Sequence, residues 1–134
     1  MTFDIFTAFA TDENLENNGT IFKLGKGAEI TVARAGNRAY AKAITKAVEA
    51  RRVELDAADD NAANVSDQIM VDVMAETILL GWKKLSFKGE DMGDYSTEKA
   101  KKLLAVKDFR KHVAGLSDQM DAYKVKAEKA AGND

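Results

Sequence analysis

Proton transfer needs two titratable groups within reach, and one pair in this sequence has that spacing: Asp108 and His112, four residues apart in "KDFRKHV". On a helix they share a face, so a carboxylate–imidazole general base is geometrically available. The sequence adds nothing to complete a site around it. His112 is the only histidine, no serine stands in a nucleophile elbow, and cysteine is absent, which removes thiol nucleophiles, disulfides and zinc knuckles. "DAADDNAAN", residues 56–64, is acidic, yet a calcium loop needs a central glycine and a bidentate glutamate at its twelfth position. "GKG" at 25–27 offers flexible backbone without the Gly-Lys-Ser/Thr and helix of a phosphate loop. His112 therefore reads as an exposed helix residue. No catalytic residue, cofactor or metal ligand is assigned, and the expectation is a protein that is not an enzyme.

Recognition is the other chemistry on offer. Trp82, the single tryptophan, is followed by Leu85, Phe87 and Tyr95. Tryptophan and tyrosine anchor many interfaces, so these four are candidate partner-binding residues. Trp82 also fits an aromatic plug at the base of a core, with Gly81 letting the chain turn, and the two roles are compatible. Met70, Met74 and Met120 join the candidates, because unbranched thioether side chains adapt to varied apolar surfaces.

The 134 residues suit one domain, 1–134, with a core large enough to fold unaided. Proline is absent, which favours long uninterrupted helices. Between Val53 and Trp82 there are seven acids and no Lys or Arg, whereas Lys83 to Lys111 holds nine bases and five acids. Two solvated faces explain this; so does steering of a partner or of a second copy of the chain. The net charge of −2, with Glu90, Asp91 and Asp94 interrupting the lysines, argues against nucleic acid. No apolar run approaches a membrane span. The acidic start does not resemble a signal peptide, so cytoplasm is the expected location.

The spacing predicts a mainly α domain. A β-hairpin is expected over about 20–33, because Ala28, Ile30 and Val32 alternate with Glu29 and Thr31. Helices are expected over about 38–58, capped by Asn37; 67–82, capped by Ser66; 97–105, starting near Ser96; and 108–130. The second is apolar on more than one stripe and should be central. In the last, Phe109, Val113, Leu116, Met120, Tyr123 and Ala127 form one narrow seam. Residues 1–18, with Phe3, Ile5, Phe6 and Phe9, fit docked helical turns or an extended, mobile arm. Residues 131–134 should fray.

The stretches "LENNGTIFKLGKGAEITVARAGNRAYAKAI", "AETILLGWKKL", "YSTEKAKKLL" and "DFRKHVAGLSDQM" in this order resemble the tail assembly chaperone family of long-tailed bacteriophages. The resemblance runs from Phe3 to about Tyr123. It implies a small non-catalytic protein that binds the tape measure protein during tail morphogenesis and is left out of the mature virion. It also implies that a longer frameshifted product recruits the tail tube protein. An alternative is a structural tail-completion or connector subunit that self-assembles into rings, so a homo-oligomer stays open.

Overall fold

In the computed structural model, which describes residues 1–57 and 60–125, strand β1 (Thr20–Gly25) pairs antiparallel with β2 (Ala28–Val32), Phe22 opposite Ile30. Ala28, Ile30 and Val32 are buried and Glu29 and Thr31 are half-buried. The chain reverses at Lys26-Gly27, with φ of 56° and 80°, the doubly positive pair that a tight two-residue hairpin requires.

The hairpin is not the end of the sheet, and the protein is mixed α/β rather than mainly α. Strand β3 (Leu79–Lys83) pairs antiparallel with the other edge of β2, placing Trp82 opposite Ile30 and Gly81 opposite Thr31. The order is β1-β2-β3. A second, two-stranded sheet joins β4 (Ser86–Phe87) to β5 (Glu90–Asp91), turning on Lys88-Gly89 with φ of 52° and 83°. The expected helix over 67–82 therefore ends early. Its last residues continue an apolar stripe, but β2 is buried, and its free edge would leave backbone donors and acceptors unpaired. Gly81 is a poor helix former and Trp82 an intermediate one, so the ladder wins. Gly81 lies within the strand and makes no turn.

The remaining helices also shift. Residues 1–18 hold α1 (Ile5–Phe9) and α2 (Glu13–Asn18), capped by Asp4 and Asp12. The single helix over 38–58 is two: α3 (Arg38–Ala50) and α4 (Arg52–Asp56), broken at Arg51 with φ −122° and ψ 23°. There the Arg51 guanidinium turns to Glu54 at 2.8 and 2.9 Å and to Gln68 at 2.7 Å. Helix α5 (Asp60–Thr77) starts before Ser66, which lies inside it and caps nothing. Helix α6 (Thr97–Leu104) follows its Ser96 cap. The helix over 108–130 is replaced by α7 (Lys107–Ser117) and a 3-10 turn (Met120–Tyr123). Ser117 donates back to the Ala114 carbonyl at 2.7 Å, the local competition that loosens helix ends. Ala127 and residues 131–134 lie outside the described residues.

Helix α5 is apolar on several stripes because it serves two clusters. Met74 and Ala75, with Ile78 just past the helix end, pack with Ile30, Val32, Leu79 and Trp82 of the sheet and with Leu104 and Val113. Val65, Ile69 and Val73 meet Tyr40, Ile44 and Ala47 of α3 and Leu55 of α4. Asn37 fastens these layers. Its Oδ1 accepts from the Tyr40 N–H at the start of α3, and its Nδ2 donates to the Arg34 and Thr77 carbonyls at 2.8 and 3.1 Å. At the far end of the chain the buried Tyr123 hydroxyl donates to the Val32 carbonyl at 2.9 Å. Burial pushes its pKa up to about 12, against a smaller opposing effect of Arg34.

Candidate functional site

The sequence candidates separate into a floor and two surfaces. Trp82 is 8% exposed; its Nε1 donates to the Gly93 carbonyl at 2.8 Å and its ring meets Tyr95 edge-on at 4.9 Å. Tyr95 donates to the Ala75 carbonyl at 2.7 Å. Trp82 is thus a core plug, held in one rotamer by a polar bond at its tip, and with Tyr95 it supports a surface rather than forming one.

That surface is a groove of about 290 Å³ bounded by Leu24 of β1, Leu85 and Phe87 around β4, Leu103 of α6, and Val106 and Phe109 at the start of α7. Leu85 and Phe87 are the sequence candidates brought together here. Leu24 and Val106, 38% and 43% exposed, complete it. Spacing did not single them out, because four separate elements converge on the groove. The Lys88 and Lys102 ammonium groups stand 5.6 and 5.5 Å from the Phe87 ring centre, within cation–π range. An apolar trough beneath two cations suits an apolar segment that carries negative charge.

Met70 and Met74 belong to a second groove, about 340 Å³, between α5 and α7. Met74 and Ile78 make its floor, Tyr40 one wall, and Ala114 and Gly115 a low rim. A Cβ added to Gly115 would meet no atom within 4 Å, so an incoming helix could approach closely. Met120 lies half-buried on the 3-10 turn and lines neither groove.

His112 and Asp108 are exposed on α7, and among the described residues no hydrogen bond or ion pair joins them. Among the described residues no group of three or more His, Cys, Asp or Glu could hold a metal ion. None of the described helices is long and apolar enough to cross a membrane. The described surface carries two apolar grooves, one with lysines at its rim, and an exposed N-terminal segment with Phe3, Phe6 and Phe9 at 72%, 70% and 52% exposure.

A family model described as YdaY prophage protein matches residues 35–133, from the end of the first hairpin onward. No curated protein and no solved structure matches. The match makes the protein phage-related without singling out tail assembly.

Proposed function

We propose, from the premise that the chain belongs to the YdaY prophage protein family, that it is a non-catalytic tail assembly chaperone. In this reading it binds the tape measure protein in the host cytoplasm and keeps it soluble until the tail tube encloses it. The observation that carries the reading is the methionine-floored groove between α5 and α7. A long helical client presents apolar side chains at intervals of three and four residues, and a groove with an adaptable floor and a low rim receives such a stripe. The tail tube protein would be met only by a longer product.

Co-expression tests it. The tape measure protein should move from the insoluble to the soluble fraction with this chain and co-purify with it. Gly115→Glu, which sets a charge on the open rim, should abolish the rescue while the chain stays folded. A tape measure protein equally insoluble with and without the chain would refute the reading. A second reading, a ring-forming tail-completion or connector subunit, draws on the exposed N-terminal phenylalanines as self-association surface. Mass spectrometry of purified virions separates the two, since a connector remains in the particle.

A further inference from the structure

We propose that the groove beneath Lys88 and Lys102 is occupied by the N-terminal arm, residues 1–9, of a second copy of this chain. The arm is a short amphiphile without a home. Helix α1 has no buried residue, and Phe3 folds back on Phe9 edge-on at 6.1 Å, so two of its rings form a single knob. Met1, Phe3, Ile5, Phe6 and Phe9 are all more than half exposed. So many exposed apolar side chains within nine residues fit an interaction site.

The charges match locally, around Asp4. Residues 1–9 have no Lys or Arg, and apart from the amino terminus at Met1 their one charged group is the Asp4 carboxylate. Asp4 accepts from the Thr7 N–H at 2.7 Å, and the Thr7 hydrogen bonds hold its carboxyl below the usual carboxylate range. It is an anion at neutral pH, set one residue from Phe3 and two from Phe6. The receiving groove presents Leu24, Phe87, Val106 and Phe109 under two ammonium groups. Rings entering the trough bring Asp4 to its cationic rim.

The size is adequate as well. Exchange between two copies is isologous, so each contact is made twice. Three rings a side, each hiding about 150–250 Å² when fully buried, together with the groove walls they cover, reach the standard interface range of about 1,200–2,000 Å². The arm is also anchored at its root. The Asp12 N–H donates to the Tyr123 carbonyl and the Val125 N–H to the Ala10 carbonyl, so residues 1–9 project from a fixed point.

This inference does not depend on the tape measure reading, because it uses a different groove and needs no other protein. The test is sedimentation of purified chains across the micromolar range. Wild type should dimerise. Deleting residues 1–9, which leaves the Ala10 and Asp12 backbone bonds in place, should weaken dimerisation about a hundredfold or more. Val106→Asp should do the same without unfolding, since Val106 occupies the cap position of α7, where aspartate is favoured. Mixing the two variants is the decisive step: one keeps a groove, the other an arm, and together they should associate through one of the two arm–groove contacts, more weakly than wild type but more tightly than either variant alone. A monomeric wild type, whether its arm is free, folded into its own groove or reserved for a phage partner, would overturn the proposal. So would a dimer that survives arm deletion, or a mixture that, titrated to high concentration, associates no more tightly than either variant alone.

Discussion

Asn37 offers the sharpest test of how this fold is held. One carboxamide caps α3 through Oδ1 and, through Nδ2, ties the last carbonyl of α5 at Thr77 and the Arg34 carbonyl before the cap. It is 7% exposed and Thr77 6%, so water cannot replace a lost partner there. Substitutions separate the two roles. Asn37→Ser keeps a capping oxygen and loses the tie; Arg34 O still accepts the Asn37 backbone N–H at 3.1 Å, which leaves Thr77 O as the group that loses its donor. One buried carbonyl without a donor costs about 1–3 kcal/mol. Asn37→Ala loses the cap as well, adding about 1 kcal/mol for a total of about 2–4. Asn37→Asp keeps the cap but turns a carboxylate oxygen toward two carbonyls, and should be no more stable than the serine variant. Urea denaturation reads this directly: with a slope near 2 kcal/mol/M, the serine variant's midpoint falls by about 0.5–1.5 M. A serine variant within about 0.3 kcal/mol of wild type would refute the tie. Equal serine and alanine variants would refute the cap.

Further expectations concern the plug, the far end of the chain and two glycines. Trp82→Ala should lower stability by about 3–5 kcal/mol in the same assay; an equally stable variant would move the ring out of the core. Tyr123→Phe removes the donor to a buried carbonyl and should cost about 1–2 kcal/mol. Tyr123 titrates at about 12 in the folded chain, above its unfolded value of 10.0. Its contribution is therefore complete below pH 10 and lost as pH rises through 12; alkaline melts of Tyr123→Phe should lack that part of the decline. Gly19 has φ +92°, and a Cβ there would meet Thr31 Cγ2 at 2.8 Å and the Val32 backbone at 3.2 Å; Gly19→Ala should cost about 1–3 kcal/mol or more. Gly81→Ala meets only ordinary contacts at 3.5 and 3.6 Å and should be neutral or stabilising by up to about 1 kcal/mol.

Legibility followed the range of the force that decides each element. The alternation from Ala28 to Val32, the Asn37 cap and the Ser96 cap are local, and each could be read from a few neighbouring residues. The third strand could not. "ILLGW" satisfies a helix period as well as a strand period, and the arbiter is the open edge of β2, roughly fifty residues upstream. The break at Arg51 depends on Gln68 across a helix pair, and the early start of α5 on packing against α3 and α4. Phe109, Val113 and Leu116 kept a shared stripe, but the helix stopped before Met120 could extend it. Of the candidate docking residues, Leu85 and Phe87 meet in one groove and Met70 and Met74 in another. Trp82 and Tyr95 line neither groove and pack with the core cluster instead, since a sequence marks an aromatic without telling whether it faces the core or the solvent.

The clasp between Thr11 and Lys124, reinforced by Tyr123 reaching back to Val32, has a bearing on synthesis. Ninety-one residues separate hydroxyl from carbonyl, so a growing polypeptide can form its hairpin and the α3–α5 layer long before the latch exists. Until then the root of the phenylalanine segment is unfastened. The N-terminal segment is thus fixed at its root only after the residues around Tyr123 have been made, so its placement is one of the late events in folding of the described residues.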